Sequence, residues 1–129
     1  MATVLVIDDS LLTRTHASIA LRGSRTRLVV ARDGFEALEL MNEHRPECVV
    51  LNRCTPGLGT EEILERIRAF GVPTRVIVRG IALTDRTVES YRARGVDVVL
   101  NGPHADEQRT LADAIRVCTV EPVRYSKAG

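Results

Sequence analysis

Five short apolar runs recur along the chain, and each is continuous rather than alternating: TVLVI at 3–7, RLVVA at 27–31, CVVL at 48–51, RVIV at 75–78 and DVVL at 97–100. A strand with one wet face alternates apolar and polar residues, whereas a strand covered on both faces reads as an unbroken β-branched run. Between the runs lie amphipathic stretches at about 10–22, 34–45, 59–70, 84–94 and 105–118, whose spacing predicts helices. Ser10 and Thr84 stand where N-caps belong, and Gly23, Gly71 and Gly95 where helices stop. Five strand–helix alternations with right-handed crossovers predict an α/β fold, a flavodoxin-like (βα)5 arrangement with a doubly wound five-stranded parallel sheet. Sites in such sheets lie at the carboxyl ends of the strands. Those ends carry Asp8 and Asp9, Ala31 and Arg32, Asn52 and Arg53, Arg79 and Gly80, and Asn101 and Gly102.

At 129 residues the chain fits one domain with a substantial core, expected over 1–118, followed by a short tail at 119–129. The formal net charge of +1 points to no nucleic-acid or membrane partner. No apolar run approaches the roughly 20 residues that span a bilayer, and MATVLVIDDS lacks the basic start of a signal peptide. The three cysteines, Cys48, Cys54 and Cys118, have no CxxC spacing and predict neither a disulfide framework nor a zinc site. A reducing cytoplasm is the expected location. No Gly-rich phosphate fingerprint, GxSxG, HExxH or Walker A sequence is present. An enzyme with Asp8 or Asp9 as base would need an activated nucleophile or an acid–base pair, and neither is visible, so no catalytic residue is assigned.

Asp8 and Asp9 are the sharpest local feature. Adjacent carboxylates closing an apolar strand repel each other and are costly to desolvate unpaired. A divalent cation or a nearby arginine would relieve both penalties; alternatively both are solvated loop residues, one of them capping the helix that starts near Ser10.

The pattern resembles the receiver domain of bacterial two-component response regulators. VLVIDDS at 4–10 is similar to that family's first strand and acidic pair, VVLNRCTPGLG at 49–59 to its third strand and following loop, and GVDVVLNGP at 95–103 to its fifth strand and closing proline. The resemblance covers roughly residues 3–118. It implies a phosphoacceptor aspartate four residues before Pro56, where this chain has Asn52. It also implies a Thr or Ser at the position of Arg79, with Gly80 beside it as the small residue. A lysine is implied at Gly102 and an aromatic switch at Val99. Only Asp8 and Asp9 match. An amide is a poor nucleophile, and a neutral Asn52 removes one anionic ligand from a magnesium site. The expectation is a degenerate receiver, or pseudo-receiver, with weak Mg2+ affinity at most, held by Asp9, Asp8 and a backbone carbonyl near Cys54.

Arg79 is expected to turn inward and pair with Asp8 or Asp9, supplying fixed positive charge where the family binds magnesium. Arg53 competes for the same role. Arg53 and Cys54 are read as the pocket rim, and Cys54 as a small, partly buried residue. Thr55 before Pro56 is either a kinase target or an ordinary turn residue.

Function is then expected in surfaces. Partner proteins of a signalling pathway would dock on helix 10–22, with Ala17, Ala20 and Leu21 toward the sheet and Leu12 and Ile19 to one side. The other candidate is the face made by helix 84–94, strand 97–100 and helix 105–118, carrying Arg86, Tyr91, Arg92, Arg94, Gln108 and Arg109. That face would also serve a homodimer. The leading expectation is a phosphorylation-independent interaction module. The alternative is a receiver still switched by a small ligand or another modification. No DNA-binding domain is expected to follow.

Overall fold

The computed structural model describes residues 2–71, 73–102 and 107–119, the side chains of 107–109 excepted. The elements run β1 (Thr3–Ile7), α1 (Leu11–Ala20), β2 (Arg27–Ala31), α2 (Gly34–His44), β3 (Cys48–Asn52), α3 (Thr60–Ala69), β4 (Arg75–Gly80), α4 (Asp85–Ala93), β5 (Val98–Asn101) and α5 (Glu107–Thr119). All pairings are parallel, in the order β2-β1-β3-β4-β5. This is the doubly wound, flavodoxin-like sheet that the unbroken strands predict.

Side-chain alternation divides the strand residues between two cores. Leu5, Ile7, Val49, Leu51, Val76 and Val78 pack with Ala37 and Met41 of α2, Ile63 of α3 and Tyr91 of α4. Val4, Val6, Cys48, Val50 and Ile77 pack with Ala17 of α1 and Leu111, Ile115 and Cys118 of α5. Period-2 alternation carries the second row onward to Asp8, Asn52 and Arg79, so these three polar groups leave the sheet on the α1/α5 side.

The helix starts follow the caps. Ser10 accepts from the Thr13 N–H, and Thr84 from the Thr87 N–H at 3.1 Å. Asp33, a cap the sequence reading does not single out, accepts from the Glu36 N–H at 2.8 Å. Gly23, Gly71 and Gly95 all have positive φ, as helix stops should. Two strands run longer than their apolar cores. β3 reaches Asn52 and β4 reaches Gly80, because Asn52 and Arg79 are register partners and the Arg53 N–H donates to the Arg79 carbonyl at 2.8 Å. β5 starts one residue late. Asp97 instead closes the sheet's other edge, its N–H on the Val76 carbonyl and its carboxylate on the Val76 N–H at 2.8 Å.

Tyr91 corrects the reading of α4. It is 1% exposed, in the core rather than on a docking face. Half-buried Val88 lies three residues before it, and that helical spacing turns both toward the sheet. Arg86 and Arg92 are exposed, and Arg94 pairs with Glu65 at 3.4 Å. The Gln108 and Arg109 side chains, and the expected tail beyond Thr119, lie outside the described residues.

Candidate functional site

At the carboxyl edge of the sheet, Asp8 is completely buried and Asp9 is exposed. The two adjacent carboxylates thus meet different environments, and only Asp8 needs internal partners. Its Oδ1 accepts from the Ser10 N–H at 2.8 Å. Its Oδ2 accepts from Asn52 Nδ2 at 2.9 Å and lies 3.8 Å from Arg79 Nη1. Asp9 makes no side-chain hydrogen bond or ion pair among the described residues and is open to solvent.

Asn52 has one orientation that suits its neighbours. Nδ2 faces the Asp8 carboxylate and Oδ1 accepts from the Cys54 N–H at 2.9 Å. Flipping the amide would set oxygen against oxygen and N–H against N–H. Thr55 fixes the loop below it, its buried hydroxyl 2.7 Å from the Asn52 carbonyl and 3.0 Å from the Ile7 carbonyl. Burial makes Thr55 an anchor of the turn rather than an accessible kinase target.

Arg79 turns inward and selects Asp8, not Asp9. It is 7% exposed, and its Nη1 donates to the Thr13 hydroxyl at 2.7 Å. Burial pushes the guanidinium below its ordinary value, and the Asp8 charge opposes that shift. A buried ion pair contributes little net stability, but removing one partner leaves an uncompensated charge. Arg53, the competitor, is exposed and forms no ion pair among the described residues. Cys54 is exposed as well, contrary to the expectation of partial burial, because its backbone rather than its thiol is what the site uses.

The donor set does not fit a divalent cation. One Asp8 oxygen faces an N–H2 group and a guanidinium, and the other accepts a backbone N–H. Asn52 presents a donor toward Asp8 where a cation would need an oxygen. No group of three or more His, Cys, Asp or Glu able to hold a metal exists among the described residues.

The sequence profile of the response regulator receiver domain matches residues 4–116. The chain belongs to the response regulator receiver domain family. This receiver is 33% identical over 94 residues to the response regulator MprA of Mycobacterium sp. (strain KMS), covering 73% of this chain and 39% of the relative. MprA of Mycobacterium avium (strain 104) is 31% identical over 94 residues, with 73% and 40% covered. The receiver thus spans about two fifths of the length of these relatives. Among solved structures, the Francisella response regulator 1452 receiver domain superposes with a TM-score of 0.79 at 23% identity, covering 92% of this chain and 96% of that one. A Mn2+-bound form of response regulator Rcp1 superposes with a TM-score of 0.79 at 18% identity, covering 96% and 98%. The response regulator domain of Thermotoga maritima CheB gives a TM-score of 0.72 at 27% identity, covering 95% and 99%. Response regulator receiver domains are generally signalling modules.

The remaining singled-out residues of this receiver have local reasons. A Cβ at Gly80 would meet Leu83 Cδ2 at 2.6 Å, so a larger residue there would have to displace the buried Leu83 side chain. Gly102 has φ +111, where L side chains are rarely found, and its N–H donates to the Gly80 carbonyl at 2.9 Å. Val99 packs half-buried against the α2–α4 side core. Sequence reasoning missed Thr13, and it placed Asn101 at a strand end without giving it a role. Thr13 sits one turn before sheet-facing Ala17, so helical spacing could have found it. Asn101 pins the loop after β4, its Oδ1 accepting from the Leu83 N–H at 2.8 Å and its Nδ2 donating to the Leu83 carbonyl at 3.0 Å. That clasp joins residues 18 apart and leaves no local pattern. Among the described residues no helix is long and apolar enough to cross a membrane.

Proposed function

We propose that this receiver domain acts in two-component signalling as a phosphorylation-independent interaction module, a pseudo-receiver. The observation that carries the reading is the bond from Asn52 Nδ2 to Asp8 Oδ2 at 2.9 Å, beside the Arg79 guanidinium. Asn52 occupies the place where the resemblance puts a phosphoacceptor. Its amide is neutral, delocalised and committed to two hydrogen bonds. Arg79 supplies from within the chain the positive charge that a cation would otherwise bring. Together Asn52, Arg79, Gly102 and Val99 leave no carboxylate to phosphorylate, no hydroxyl sensor, no lysine and no aromatic switch at those positions.

The partner in this reading is a signalling protein. The start of α1 presents Leu11 and Leu12, 70% and 61% exposed, next to exposed Asp9. Contiguous exposed apolar surface marks contact sites, and these adjacent leucines are the candidate for it here. The face of α4, β5 and α5, now without Tyr91, is the second candidate and would also serve a homodimer. Residues 1–118 form the single functional domain in this account.

Incubation with acetyl phosphate and Mg2+, followed by intact mass measurement, tests the reading. No phosphoryl adduct is expected. A gain of one phosphoryl group, on any residue, overturns it.

A further inference from the structure

Beside the Asp8–Asn52–Arg79 network lies a cavity of about 300 Å3 at the carboxyl edge of the sheet. That volume is at the lower end of small-ligand pockets, which run from roughly 300 to 1,000 Å3. Its lining is of mixed character. Arg53, Arg79 and Asn52 line it together with Ile81 and Leu100, and Gly102 contributes backbone alone. No carboxylate is among the described lining residues.

The charges do not cancel. Arg79 is matched by Asp8 at 3.8 Å, whereas Arg53 has no carboxylate partner among the described residues. One uncompensated, solvent-exposed arginine therefore borders a partly enclosed space that Ile81 and Leu100 also line. Ile81 is 70% exposed and lines the cavity together with Leu100, so apolar surface is available to a ligand there. A ligand with an anionic head and a small apolar body answers both features. Guanidinium binds carboxylate through paired N–H donors, and the apolar body would cover Ile81 and Leu100.

We infer that this cavity binds a small organic monoanion, its carboxylate on Arg53 and its apolar part against Ile81 and Leu100. The site would give the domain an input that needs no covalent modification. The inference stands independently of whether Asn52 blocks phosphorylation, and its test does not read phosphorylation.

The test is a backbone amide NMR titration of the full chain at constant ionic strength, with benzoate and isovalerate as organic monoanions. Benzamide is the neutral counterpart and inorganic phosphate the compact oxyanion. At least one of the two carboxylates is expected to give saturable shifts at the Arg53, Gly80, Ile81 and Gly102 amides, with benzamide giving none. Arg53→Gln should weaken that carboxylate about tenfold. This variant should fold, because the Arg53 side chain makes no bond among the described residues while its backbone N–H and carbonyl keep theirs. Ile81→Ala should weaken the carboxylate and leave phosphate unchanged. The inference is overturned by the absence of saturable shifts with both carboxylates, or by equal binding of benzamide. Unchanged affinity in Arg53→Gln, or phosphate binding more tightly than either carboxylate, overturns it as well.

Discussion

A buried carboxylate is the most demanding residue in this receiver, and its neighbours are explained by it. Asp8 takes one N–H from Ser10, one from Asn52 and the charge of Arg79. Arg79→Ala should therefore lower stability by about 3–5 kcal/mol in urea unfolding, the cost of leaving a buried charge without its partner. Thr13→Val, which removes the 2.7 Å bond to the same guanidinium, should cost about 1.5–3 kcal/mol. Asn52→Asp carries a pH signature. It replaces a donor 2.9 Å from Asp8 Oδ2 with a second carboxylate, and like charge raises the folded pair's carboxyl pKa above the unfolded value. The folded variant then holds more protons than the unfolded chain across that window, so its stability falls as pH rises through it. Relative to the parent, a loss of about 1–3 kcal/mol is expected at neutral pH, shrinking toward about pH 4. Equal losses at both pH values would contradict a carboxylate–carboxylate contact. At this scale the sequence foretold that a buried acid needs a cation, and Arg79 fills that role. It did not foretell which aspartate is buried. That depends on β1 ending in contact with β2, where the Asp8 N–H meets the Ala31 carbonyl at 2.9 Å, a relation between distant residues.

The elements were the most legible level, because unbroken β-branched runs and capped amphipathic stretches each carry their own period. The misses are where packing between elements decides. β4 extends to Gly80 through its pairing with β3 and β5, and Tyr91 of α4 is core because Val88 and the sheet set its direction. Gly34 at the start of α2 shows how tightly elements meet. A Cβ there would approach Leu58 Cβ to 2.8 Å and the Leu58 backbone nitrogen to 2.9 Å. Backbone cannot give way as a side-chain tip can, so Gly34→Ala should destabilise by about 1–3 kcal/mol in urea unfolding despite improving helix propensity. A neutral or stabilising result would mean that the loop before α3 yields without cost. Helix α1 links this level to function: its inner stripe, Thr13 and Ala17, holds the network, while Leu11 and Leu12 face water.

Across the whole molecule, the carboxyl edge of the sheet has its buried carboxylate neutralised by the chain's own side chains, with a cavity left beside them. The same alternation that makes Val4, Val6, Val50 and Ile77 a core row delivers Asp8, Asn52 and Arg79 to one spot. Site and core are thus one continuous packing, and the strands that build the core also set the positions of Asp8, Asn52 and Arg79. The doubly wound sheet was readable from five strand–helix alternations, and the family from three short motifs in order. The cavity beside the network was not, since its lining comes from α1, β3, β4, β5, α5 and the loops that follow the strands. An internal guanidinium and amide meet the buried Asp8 carboxylate where a cation would otherwise be needed. Isothermal titration of the unmodified chain with Mg2+ tests this most directly. The account predicts no saturable heat into the millimolar range, and saturable binding with a submillimolar dissociation constant would contradict it.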